Sequence, residues 1–197
     1  MKIIVINGSG GSGKDTFVSC CSSLRRNIFN LSTINVIKEI ALDMGWDGQK
    51  DDKGRRFLSD LKDAYSRYNN LPFMSVYNDI QNTLYRLYRQ GRTEPEPIFF
   101  IHCREPKEIG IFEQTYDARS MIITRENTTE YHNHADQEVL EYEYNYQISN
   151  NGSKEELVDT AQKFLDKINN ENWHSSFHFD YINLFVKLHR RFYERIY

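Results

Sequence analysis

Cysteine is scarce in this sequence, long apolar runs are missing and positive charge is not in excess, and each scarcity removes a class of protein. The three cysteines, Cys20, Cys21 and Cys103, are odd in number and form no CxxC pair. Buried, reduced thiols are therefore expected rather than a disulfide framework or a zinc cluster. No stretch approaches the roughly 18 apolar residues needed to span a bilayer, and the opening "MKIIVING" turns polar too soon for a secretory leader. The expectation is a cytoplasmic protein without a membrane partner. A formal net charge of -3 argues against coating nucleic acid with the whole surface. Internal repeats and low-complexity linkers are also absent.

What is there suits one domain with appendages, since 197 residues are enough to bury a sizeable core. "KIIVIN" (2–7) is a nearly continuous apolar, β-branched run, as a strand buried on both faces requires. Phe17, Val18, Cys21 and Leu24 then recur at helical spacing between Lys14 and about Asn27. "IFNLST" (28–33) reads as a second strand and "INVIKEIALDMGW" as a helix stopping near Gly45. A polar stretch turns helical at about Gly54, with Phe57, Leu58, Leu61, Ala64 and Tyr65 inward, and another helix starts at Pro72.

Strands at 98–103 and 120–125 flank the helix-sized "EPKEIGIFEQTY", and "EYNYQISN" (143–150) is the last strand expected. The helix after it opens with a capping box, Ser153 answered by Glu156. Strands alternating with helices, joined by crossovers of about a dozen residues or more, imply an α/β fold. Its sheet is parallel and covered by helices on both faces. The aromatic tail, residues 171–197, is expected to be a helical extension docking on its own domain or on a sister chain as a homodimer.

Between the first strand and the first helix stands "GSGGSGKD". Gly8, four residues, then Gly13 and Lys14 satisfy most of the phosphate-loop pattern GxxxxGK followed by Ser or Thr, in its required strand-to-helix context. Such glycines let backbone N–H groups curl around phosphate oxygens, the helix N-terminus adds partial positive charge, and the lysine reaches the β/γ-phosphates. Gly10, Gly11 and Ser12 complete the loop. Asp15 stands where a hydroxyl is usual, and Thr16 supplies one a residue later.

The fuller "GSGGSGKDT" resembles the loop of the nucleoside monophosphate kinases, the adenylate kinase family, and "GKDT" is similar to the phage-type deoxynucleoside monophosphate kinases. The likeness extends over most of residues 1–168. It implies a three-layer P-loop NTPase fold with a mostly parallel five-stranded sheet, ATP as phosphoryl donor and Mg2+ as its companion ion, with Thr16 on the metal. In "FFIHCREP", Arg104 matches the arginine just past the third strand that holds the acceptor phosphate; the plain alternative is a surface pair with Glu105 or Glu108. "GWDGQKDDKGRRFLSDLK" resembles the acceptor-side helical insertion, here about 46–92, where Arg55 or Arg56 would clamp a monophosphate through a guanidinium fork.

"YQISNNGSKEEL" is similar to the final strand and turn of these kinases and of the related dephospho-CoA kinases. The resemblance sets Asn151 and Gly152 against the donor adenine; a simple turn before a capped helix is the other reading. Residues 125–141 match a lid, with Arg125 as its one arginine and hence the expected partner of the transferring phosphoryl group. His132 and His134 in that stretch lack a third metal ligand and read as a solvated loop. The strand before Arg104 ends in His102 and Cys103 rather than a Walker B aspartate.

Phosphoryl transfer needs in-line geometry and cations where charge spreads, and Lys14, Arg104 and Arg125 are the expected suppliers. A monophosphate acceptor is already ionised and needs no general base, whereas a hydroxyl acceptor, as in dephospho-CoA, needs an acid near the γ-phosphate, for which Asp15 is the candidate. The sequence favours the first because Arg55, Arg56 and Arg104 fall in acceptor-like segments. A nucleotide-binding regulatory protein that has lost transfer is the rival from another class.

Overall fold

Lys2–Asn7 form β1, a strand buried along its whole length, which requires neighbours on both edges and layers on both faces. The computed structural model, which describes residues 1–126 and 141–173, supplies them. β2 (Ile28–Ser32), β3 (Ile98–His102), β4 (Arg119–Thr124) and β5 (Tyr146–Ser149) complete a five-stranded sheet of order β2-β3-β1-β4-β5. Every pairing is parallel, with Ile6 beside His102 on one edge of β1 and Asn7 beside Ile122 on the other.

Parallel neighbours need long crossovers, and among the described residues α1 (Lys14–Leu24), α2 (Asn35–Asp43), α3 (Asp52–Asn69), α4 (Leu71–Arg89) and α5 (Pro106–Tyr116) lie in those from β1 to β4, while α6 (Lys154–Asn170) follows β5. The period of two along β1 then sorts its side chains. Ile4 and Ile6 face Phe17, Val18 and Cys21 of α1 and Leu157, Phe164 and Leu165 of α6. Ile3 and Val5 face Val76 and Ile80 of α4 and Ile109 and Phe112 of α5. A third, smaller cluster joins Ile37 and Ala41 of α2 to Leu58 of α3. The expected α/β architecture with helices on both faces is present.

Three local expectations change. Helix α1 stops at Leu24 rather than near Asn27, because Arg25 is extended and Asn27 takes a left-handed φ of 59°. The Asn27 amide there donates to the carbonyls of Arg92 and Pro95 at 3.0 and 2.8 Å, which secures the start of β2. Leu24 is left exposed. In α3, Ala64 is exposed and Lys62 is buried instead, because that lysine finds two carboxylates from the segment after β3.

Cys20, Cys21 and Cys103 are free and buried, as expected. Most of the expected lid (127–140, with His132 and His134) and most of the C-terminal extension (174–197) lie outside the described residues. No helix among the described residues is long and apolar enough to cross a membrane.

Candidate functional site

The strand-to-helix loop sits at the C-terminal edge of the sheet, where β1 ends at Asn7. One side chain ties this edge together: Asn7 Oδ1 accepts from Gly8 N at 2.7 Å, and Asn7 Nδ2 donates to the Arg104 carbonyl at 3.0 Å. Gly8 has φ 144°, and a Cβ there would lie 2.2 Å from the Ile123 carbonyl. No other residue type fits. Ser12 N closes the turn onto Ser9 O at 3.3 Å, while Asn150 Nδ2 donates to Ser12 O at 2.8 Å from the end of β5.

Lys14 begins α1 and curls back over the loop, with Nζ donating to Gly8 O at 2.6 Å and Ser9 O at 2.7 Å. Burial and the nearby charge of Arg104 bring its pKa down to about 8, against the opposing pull of Asp15. Gly13, the N-cap of α1, offers no side-chain cap. By contrast, Asp51 and Ser153 cap α3 and α6. The uncapped end opens on a cleft of about 400 Å³ lined by Lys14, Asp15, Thr16, Arg125, Asn150 and Gly152 among others. Uncapped amides, the helix dipole and a lysine at one mouth are the chemistry by which a helix N-terminus can hold an anion.

On the other side of the loop, Asp15 Oδ1 lies 3.5 Å from His102 Nε2 and accepts from Asn30 Nδ2 at 3.4 Å. Burial holds His102 below the ordinary imidazole value, Asp15 pulls it up, and Lys14 and Lys38 push it down. Lys38 is itself lowered by burial and by the charge of Lys50, with Asp15 opposing. Lys14 of α1 and Lys38 of α2 thus both act on the Asp15–His102 pair.

The residues singled out from sequence separate into groups. Gly11, Gly13, Lys14, Asp15, Thr16, Arg125 and Gly152 line one cleft. A Cβ on Gly10 would meet nothing within 4 Å, so that glycine is not required by space. Ser12 is buried with its hydroxyl unpartnered, and Thr16 is exposed at the cleft. Arg104 is exposed just past β3, with its charge bearing on Lys14. The surface pairing considered for Arg104 is not formed, because Glu105 and Glu108 both accept from Lys62.

Asn151 is committed elsewhere, accepting from Glu126 N at 2.8 Å, and Ser153 and Glu156 form the expected capping box. Arg55 and Arg56 are exposed on α3, and Arg55 Nε donates to the Lys50 carbonyl at 2.8 Å. Neither is brought to the loop. Among the described residues, Cys103, Glu105 and Glu108 cluster closely enough for a metal, but the ammonium of Lys62 already fills the place of a cation between the two acids.

Asn150, Asn7 and Lys62 were not foreseen. A signal for Asn150 existed: Tyr146, Ile148 and Asn150 are buried in strict alternation, so the period of the last strand already pointed the first asparagine of "SNNG" inward. Asn7 and Lys62 act across 97 and 43 residues of chain, and no short motif announces such pairings.

The chain is similar to the solved structure of a dephospho-CoA kinase from Campylobacter jejuni, with a TM-score of 0.50 and 16% identity over 85% of this chain and 98% of that one. An APS kinase from Mycobacterium tuberculosis follows at a TM-score of 0.41 and 12% identity, over 86% of this chain and 97% of that one. A sugar kinase from Janibacter sp. has the same TM-score and identity over 84% and 95%. No family model matches the chain, and no curated protein sequence does. At 16% identity the first likeness is one of fold.

Proposed function

We propose that the chain is an ATP-dependent small-molecule kinase that transfers the γ-phosphoryl group to a nucleoside or deoxynucleoside monophosphate. The observation that carries this reading is the glycine loop with the Lys14 ammonium folded over it, Nζ on the Gly8 and Ser9 carbonyls, where Arg104 and Asp15 both act on that lysine. A loop lysine with an arginine close by suits two phosphate-bearing molecules meeting there. The fold shared with a dephospho-CoA kinase structure supports the same class of chemistry.

In this reading Lys14 leaves the Gly8 and Ser9 carbonyls for the donor phosphates, and the unpartnered Ser12 hydroxyl and the α1 N-terminus face them. Arg104 holds the acceptor phosphate, Arg125 meets the transferring group from the end of β4, and Gly152, with Asn151, borders the adenine. Arg55 and Arg56, exposed on α3, carry no step in this reading. The oxygen donors at the mouth, Thr16 and Asp15, fit a hard divalent cation. Thr16 would hold Mg2+, which when bound neutralises phosphate charge. An ionised acceptor phosphate attacks without a general base, so the protein's work is positioning and charge compensation.

One contact favours a second acceptor class. The Asp15 carboxylate, 3.5 Å from His102 Nε2, could take the proton of an attacking hydroxyl, as a dephospho-CoA-like acceptor would require. The deciding experiment is ADP release from ATP across the common nucleoside monophosphates and dephospho-CoA, with Lys14→Met as the control. Turnover with a monophosphate is expected; turnover with dephospho-CoA alone selects the second reading, and silence with all of them overturns both.

A further inference from the structure

We infer that Lys62 is a positioning residue, a buried ammonium that pins the acceptor-side helix α3 to the strand end presenting Arg104. The role of Arg104 rests on the function proposed above, whereas the pin is a property of the fold alone.

The Lys62 side chain is only 7% exposed, on a helix whose other charged residues are exposed. Its Nζ donates to Glu108 Oε2 at 2.7 Å and also to Glu105 Oε2. Burial works against the charged lysine, and Glu108 and Glu105 more than reverse it, so its pKa lies above the ordinary value. Glu105 directly follows Arg104 and is the N-cap of α5, with Glu108 in the first turn. Glu108 Oε2 also accepts from Cys103 Sγ at 3.1 Å and from Thr33 Oγ1 at 3.5 Å. One carboxylate therefore gathers the end of β3, the turn between β2 and α2 and, through Lys62, the middle of α3.

Burying an ammonium is costly, and a well-packed apolar side chain would stabilise such a place equally or better. What the ammonium adds is direction, since it satisfies its acceptors at one placement of α3. The Arg104 backbone is held on the loop side by Asn7, at 3.0 Å. On the other side it is held through Glu105 and Lys62. Lys62 is thus bonded from α3, the helix that carries Arg55 and Arg56, to the side chain of the residue after Arg104. Removing Lys62 leaves α3 only its apolar packing on α2 and α4 and loosens Arg104 from one side while the loop keeps its own anchors.

The test compares full-length Lys62→Met and Lys62→Arg with the parent chain by amide hydrogen exchange and by steady-state kinetics. In Lys62→Met, amides of 52–69 and 103–110 are expected to exchange about tenfold faster or more while those of 2–7 do not change. With the monophosphate that gives the fastest ADP release, its KM rises about tenfold while the KM for ATP stays within about twofold, and Lys62→Arg restores both. Glu105→Gln, which keeps the Glu108 contact, gives the same pattern at smaller amplitude should Lys62→Met fail to fold. Unchanged exchange in 103–110, or an equal rise in both KM values, overturns the inference. Absence of turnover in the parent chain overturns the proposed function instead, and exchange then decides the pin.

Discussion

The amide of Asn150 stands where a side chain on Gly13 would begin: a Cβ there would lie 2.1 Å from Asn150 Nδ2. The last strand of the sheet thus closes the loop from above, through the bond to the Ser12 carbonyl. Gly13 also has φ 93°, so Gly13→Ala meets both strain and collision. Its expected outcome is a folded protein whose ATP affinity, read by calorimetry, falls about tenfold or more. Asn150→Ala leaves the Ser12 carbonyl without this donor and should lower stability by about 1–3 kcal/mol in urea unfolding.

Lys14 has its pKa lowered from 10.5 to about 8, which gives ATP binding a defined pH dependence. In the free protein the ammonium is lost as pH rises through about 8, and affinity should decline over that range. Bound phosphate favours the charged form, so binding at pH 8 should take up protons, seen as a difference between calorimetric titrations in buffers of unlike ionisation enthalpy. The stability sign is opposite. Because the unfolded lysine binds its proton more tightly, the Lys14 contribution to stability grows between about pH 8 and 10.5. Lys14→Met should remove both effects and reduce turnover to background.

Asp15 separates the acceptor classes. If the acceptor is a monophosphate, Asp15→Asn should leave turnover within about tenfold of the parent chain, because no proton must be removed; loss of a general base acting on a hydroxyl costs about 100-fold to 10,000-fold. The expected result is the smaller loss, with kcat measured at saturating ATP.

Phe17 links the loop helix to the rest of the core. Its ring meets Phe100 edge-on at 6.2 Å and Phe164 at 5.6 Å, and it is fully buried. Phe17→Ala should cost about 3–5 kcal/mol of stability, read as a lower urea midpoint. Since α1 packs on α6 through this ring, the variant should lose ATP affinity along with stability.

Glu96 supplies an acid-side prediction. Burial disfavours its charge, and the bond from Lys2 at 2.8 Å and the Met1 ammonium more than offset this, so its pKa is lowered. A carboxylate lowered on folding adds stability above its unfolded value, which is lost as pH falls through the folded one. Glu96→Gln should therefore narrow the difference in melting temperature between pH 7 and pH 3.

The loop, the strand order of events along the chain and the capping box at Ser153 were legible because each is local. A period of two or 3.6, or a glycine before a lysine, is visible within a dozen residues. Lys62 shows the opposite case. Helical periodicity placed Ala64 inward, whereas burial was decided by Glu105 and Glu108, more than 40 residues away along the chain. The asparagine pair 150–151 shows an intermediate one, in which the turn was legible but the bond from Asn150 to the loop was not.

The sequence by itself determined that a glycine-rich loop ending in a lysine would join a buried strand to a helix within a parallel α/β sheet, because those signals are short-range and physically stereotyped. Only the tertiary structure decided which partners complete the site. Asn150, His102 and Lys38 meet the loop and its helix from three other points of the chain, Asn7 ties the loop to Arg104, and Lys62 joins α3 to Glu105 and Glu108. Such meetings depend on strand order and helix packing, since a side chain's partner is set by which segments the fold brings within about 3 Å, a distance no linear spacing encodes.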